Sequence, residues 1–125
     1  MSVRNVAAKF MELVNHGKHF EFMRAFYAPE MVSVEADGTE YVGKEPVIKK
    51  SEVFQGNNNF HSQDVRGPFF LGNADSNSGR FAVWSALEFS PKSGGKRQKH
   101  EEVGIYTVKN DIVTREEFFY DGAFL

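Results

Sequence analysis

The sequence predicts an α+β domain, with helices first and a run of mainly antiparallel strands after them. Three observations predict it. Residues 3–16 carry apolar side chains at Val3, Val6, Ala7, Phe10, Leu13 and Val14, the spacing of one helical stripe. Residues 80–90 alternate as a strand does. The stretch HEEVGIYTVKNDIVTREEFFYDG reads as two alternating arms joined by a tight turn at Asn110-Asp111.

The elements follow in order. Gly17 stops the first helix. A second, short helix places Phe20, Phe22, Met23 and Phe26 on its apolar side and ends before Pro29, which disfavours helix in the residue ahead of it. Residues 31–36 alternate as a strand into a turn at Asp37-Gly38, and residues 43–54 form a third helix with Pro46 near its first turn. Residues 56–59 read as a loop, residues 61–70 as a strand interrupted at Gly67-Pro68, and residues 72–79 as a polar loop ahead of the strand over 80–90. A loop of Pro, Ser, Gly and Lys then leads to the final hairpin. No internal repeat or linker divides the chain, so residues 1–125 form a single domain.

Composition narrows the classes. Hydrophobic residues are 41% and charged residues 26%, as in ordinary globular domains, but 13 phenylalanines point to a core or cavity walled by rings. A net charge of −2 supplies no field for nucleic acid or an anionic membrane surface. With no cysteine, disulfides and thiolate zinc sites are excluded. No apolar run is long enough to span a bilayer and no signal segment opens the chain, so a cytoplasmic location is expected. P-loop, G-x-G-x-x-G and G-x-S-x-G motifs are absent.

The hairpin carries the chemistry. His100, Glu102, Gly104 and Tyr106 share one parity of its first arm; Thr114, Glu116, Phe118 and Tyr120 share the matching parity of the second. Val103, Ile105, Val113 and Phe119 hold the other. Carboxylates and an imidazole inside a greasy sheet are costly, and groups of that kind usually have work to do.

The segment NHGKHFEFMRAFYAPEMVSVEADG, with Gly17, Tyr27-Ala28, Glu35, Gly43 and Tyr120-Asp121 in that order, resembles the NTF2-like superfamily in its SnoaL-like and ketosteroid isomerase-like branch. The resemblance spans nearly the whole chain. It implies a cone: a bent sheet wrapped over three N-terminal helices, with a pocket at the open end. It also implies that Phe81, Val83, Ser85, Leu87, His61 and Gln63 point inward with Gly104, Tyr106, Glu116, Phe118 and Tyr120. Trp84, Val103, Ile105 and Phe119 then face outward, where a tryptophan among aliphatics suits a homodimer interface.

Glu35 matches the catalytic carboxylate of the isomerases. It reads either as a general base near apolar walls or as a solvent-facing acid at a strand end. The isomerase oxyanion donors correspond to Phe10 and Gly104, which have no group to donate, so ketosteroid isomerisation is not expected. His61 is the expected acid–base partner of Glu35. Gln63, Glu102, Tyr106 and Glu116 would orient polar groups of a ligand, and Phe10, Phe26, Val83, Phe118 and Tyr120 would line apolar walls. His100 reads as a rim residue and Lys92, Lys96, Arg97 and Lys99 as a solvated basic loop. A metal set of His61, His100, Glu102 and Glu116 has no short ligand motif behind it, so no metal or cofactor is assigned.

Two functions fit. One is an enzyme, an isomerase, lyase or cyclase, or a binder that takes a small hydrophobic oxygenated molecule and uses cofactor-free acid–base chemistry. The other is a non-catalytic ligand-binding or dimeric scaffold domain.

Overall fold

The computed structural model describes residues 1–121. Helix α1 spans Val3–Asn15 and α2 His19–Phe26; strands β1 Tyr27–Val34 and β2 Glu40–Val42 precede helix α3 Lys44–Asn57. Strands β3 Asn58–Leu71, β4 Ser78–Pro91, β5 Gln98–Lys109 and β6 Ile112–Phe119 complete one six-stranded sheet of order β2-β1-β6-β5-β4-β3. Every neighbouring pair is antiparallel except β1 with β6.

Local chemistry explains each helix end. Ser2 caps α1, accepting from the Asn5 amide at 3.2 Å while Asn5 Oδ1 accepts from the Ser2 amide at 3.1 Å. The apolar stripe of α1 is the buried one: Val3, Val6, Ala7, Phe10 and Val14. Gly43 precedes α3 with φ of 101°, and a Cβ there would meet Pro46 Cδ at 3.3 Å.

Three elements differ from the sequence reading. Strand β2, Glu40–Val42, is not among the expected strands and pairs antiparallel with β1. The first strand starts at Tyr27 rather than at residue 31, and Pro29 lies in an irregular stretch between Tyr27 and Val32 where no ladder hydrogen bond is required of it. The loop expected at 56–59 is not formed. Instead α3 runs to Asn57 and β3 begins at once. Asn58 Nδ2 donates to the Phe54 carbonyl at 2.8 Å and the Lys92 amide to the Asn57 carbonyl at 2.9 Å, so the last turn finds partners without a spacer.

The hairpin turns at Asn110 and Asp111 with φ of 49° and 75°, the left-handed pair that suits a two-residue connection. Its arms alternate as read, with one correction. Thr107 pairs with Arg115 and Val108 with Val113, leaving Thr114 as an extra residue. Val113, expected on the outer parity, is therefore carried inward and is fully buried, while Glu116 stays inward as well.

Rings fill the interior between helices and sheet. Phe10 packs edge-on to Phe22 with centroids 5.0 Å apart and lies 4.8 Å from Tyr106, which stacks on Phe81 at 5.1 Å. On the opposite face Trp84, Val103 and Phe119 fall in one register row, with Phe119 half exposed and the Arg66 guanidinium 4.9 Å from the Trp84 ring. No helix among the described residues is long and apolar enough to cross a membrane.

Gly104 is tight. A Cβ there would sit 3.0 Å from the Tyr106 ring and 3.2 Å from Phe118. Gly104→Ala is therefore expected to lose about 1–3 kcal/mol through overpacking. Urea unfolding checks this, and an unchanged midpoint would place the Tyr106 ring elsewhere.

Candidate active site

Glu35 follows β1 directly, in a turn closed by its own amide on the Thr39 carbonyl at 2.9 Å. Its side chain lies on the same parity as the buried Met31 and Ser33, so it points toward the helix side of the sheet. There one carboxylate oxygen accepts from Lys50 Nζ and the other from the Tyr120 hydroxyl at 2.7 Å. Lys50 comes from α3, where it shares a stripe with Val47 and Phe54, three and four residues away. Its ammonium lies 5.1 Å from the Tyr41 ring centroid and 5.0 Å from that of Phe118.

Behind Lys50 stands Glu116, 2% exposed. The Tyr27 hydroxyl donates to its Oε1 and Ser33 Oγ to its Oε2 at 2.7 Å, and the Lys50 ammonium is 4.0 Å from Oε2. The parallel pairing of β1 with β6 sets Ser33 opposite Glu116, which places the hydroxyl at the carboxylate. The cluster thus holds two carboxylates, one ammonium and three hydroxyls.

Burial dominates its electrostatics. It pushes the Glu116 carboxyl above the ordinary range; Lys50 and the bonds from Tyr27 and Ser33 oppose the rise, and Glu35 adds to it. Burial, with the Glu116 charge second, also holds the Tyr27 and Tyr106 phenols far up. Tyr120 is raised by burial and then by its bond to Glu35. Burial lowers the His19 imidazole, and the Glu102 charge works against that.

The predicted site residues separate into groups. Glu35, Glu116, Phe118 and Tyr120 meet in the cluster. Phe10, Val83 and Tyr106 are buried in the ring core, and Phe26 is half-buried and stacks on Phe22 at 4.8 Å. Glu102 is half-buried, 3.4 Å from His100 Nε2. His100, read as a rim residue, is in fact buried, with its ring 4.8 Å from that of Tyr120.

His61 and Gln63, expected to point inward, are exposed. The ladder slips between Phe60 and Ser62, leaving His61 out of the alternation on an edge strand, where its Nε2 lies 2.8 Å from Ser90 Oγ. The structure does not bring Glu35 and His61 together. Gln63 and His100 line a groove of about 270 Å³ with Leu87, Glu88 and Lys99. Among the described residues no group of three or more His, Asp or Glu is placed to hold a metal ion.

Lys50, Tyr27 and Ser33 escaped the sequence reading. The available signals were a lysine on an apolar helical stripe and a serine sharing the parity of Glu35.

Lys50→Met leaves Glu116 without its opposing charge. An acid with a raised folded pKa binds its proton more readily in the folded chain, so stability falls as pH rises through that folded value. Removing Lys50 carries this loss to higher pH. The variant is expected to lose about 3 kcal/mol at alkaline pH, with a deficit that shrinks as pH falls and Glu116 takes up its proton. Denaturant unfolding across pH checks this; a pH-independent deficit would contradict it.

Comparison with known proteins places this geometry in a family. The model of the SnoaL-like domain matches residues 1–120. A Mesorhizobium loti protein provisionally assigned as a SnoaL-like polyketide cyclase superposes with a TM-score of 0.86 at 32% identity, covering 96% of this chain and 100% of that one. A Pseudomonas putida protein provisionally assigned as a polyketide cyclase gives a TM-score of 0.75 at 13% identity, covering 98% and 94%. An NTF2-like protein of Burkholderia thailandensis gives 0.78 at 11% identity, covering 97% and 92%. No curated protein matches the chain. With most of its length matched by the domain model and this fold around the cluster, the chain belongs to the SnoaL-like branch of the NTF2-like superfamily.

Proposed function

We propose that the protein binds a small hydrophobic, oxygenated molecule in its cone and moves a proton beside a carbonyl without a cofactor, as a cyclase, isomerase or lyase would. The observation that carries this reading is the cluster of Glu35, Lys50 and Tyr120. Glu35 takes the proton from carbon. The Lys50 ammonium and the Tyr120 hydroxyl, both already directed at Glu35, stabilise the negative charge that grows on the substrate oxygen. The rings of Tyr41 and Phe118 form the apolar side of the site. His61 has no part in it, because its partner is Ser90. The provisional cyclase assignment of the Mesorhizobium loti relative supports the same reading.

Steroid isomerisation does not fit. Phe10 lies within the ring core, and the space in front of Gly104 is taken by Tyr106 and Phe118. That same filling favours the second reading, a binding or scaffold domain without chemistry.

The two readings part on proton exchange. With a panel of hydrophobic ketones in D₂O, the wild-type protein is expected to speed deuterium uptake at the carbon beside the carbonyl. Glu35→Gln is expected to slow that uptake by about a hundredfold or more with ligand affinity retained. Binding without accelerated exchange supports a binding domain without chemistry, and absence of binding across the panel counts against the enzyme and leaves the scaffold.

The outer sheet face is proposed as a homodimer contact through Trp84, Val103, Ile105 and Phe119, on the strength of the half-exposed Phe119 in a continuous apolar row. Trp84→Asp is expected to halve the mass seen in light scattering. An unchanged mass would refute the interface.

A further inference from the structure

Glu116 holds a place that a wall residue of the pocket would not. It is 2% exposed, and hydroxyls of β1 engage both of its oxygens. Beside it lies the Lys50 ammonium, which also bonds Glu35. One cation stands between two acids, one of them removed from water. A single positive charge cannot satisfy both when both are ionised, so a proton on the buried Glu116 is the natural third member.

We propose that Glu116 is a positioning residue that shares Lys50 with Glu35, so that the proton on Glu116 decides how firmly the ammonium holds the base. The inference rests on the reading of Glu35 as base and deepens it. When Glu116 is ionised it draws Lys50 toward itself, and Glu35 is freer to accept a proton from substrate. When Glu116 is protonated, Lys50 closes on Glu35 and the base is occupied.

The surroundings leave this proton on the carboxylates. Tyr27 and Ser33 face Glu116 from β1, Glu35 from the turn beyond it, Lys50 from α3, and Tyr106 from its register position on β5. The Tyr27 and Tyr106 phenols are held far above their usual range by burial and by the Glu116 charge, so neither gives up its proton when the carboxylates titrate. Burial lifts Glu116 itself, which puts its change of state above the ordinary carboxylate range.

The test is the ¹⁵N resonance of the Lys50 ammonium followed across pH. In the wild-type protein it is expected to move in a step above the ordinary carboxylate range. Glu116→Gln keeps an oxygen for Tyr27 and Ser33 but carries no charge, and the step is expected to vanish. Ser33→Ala keeps the charge and removes one stabilising bond, and the step is expected to move to higher pH; this second variant serves if the first does not fold. A wild-type resonance with no such step, or a step that survives in Glu116→Gln, would overturn the proposal. A Glu116 that stays ionised throughout, as a fixed partner of Lys50, would give neither step nor shift. The ¹⁵N measurement uses no ketone, so a failure of the exchange assay with the step intact would discard the assignment of Glu35 as base and leave the shared ammonium standing.

Discussion

A carboxylate enclosed in protein must be compensated, and in this chain that demand falls on Glu116. Removing an ionised acid from water costs several kcal/mol unless hydrogen bonds and an opposite charge replace the lost hydration. The replacements come from different parts of the chain: Tyr27 and Ser33 from β1 and Lys50 from α3. Meeting the demand therefore ties α3 and β1 to β6. The parallel register of Ser33 with Glu116 serves the same end. Through Lys50 the constraint reaches Glu35, the only acid of the cluster that also touches the Tyr120 hydroxyl.

The division of the interior follows from that. One part is a ring core of Phe10, Phe22, Phe81 and Tyr106, close-packed enough that Gly104 has no room for a Cβ. The other is the charged cluster at the end of β1, bordered by Phe118, Tyr120 and His100. The core is a rigid backing for the cluster. The cluster carries groups whose protonation responds to a neighbour, which is the property acid–base chemistry requires.

The hairpin was the most legible part of the sequence. Alternation from His100 to Tyr120 and the Asn110-Asp111 turn group Glu116 with Phe118 and Tyr120, because the period of two and the left-handed turn are local properties, and the family resemblance puts that face inside. Local rules also account for what was missed. The bulge at Thr114 that brings Val113 inward, and the slip at His61 that turns it away from Glu35, depend on partner strands rather than on the segment itself. Glu35 was found from its place in a family pattern. Lys50 was passed over because a lysine on a helix is expected to reach for water, and what holds it inward is the pair of acids across the fold.

Glu116 is a buried acid beside Lys50, and its proton is proposed to govern the Glu35 site. Carboxyl ¹³C NMR of glutamate-labelled protein, followed from acid to alkaline pH, tests it most directly. The Glu116 carboxyl, assigned through Glu116→Gln, is expected to change state above the ordinary carboxylate range and to move further up when Lys50 is replaced by Met. A Glu116 resonance that titrates like a solvent-exposed glutamate, or one indifferent to the loss of Lys50, would contradict it.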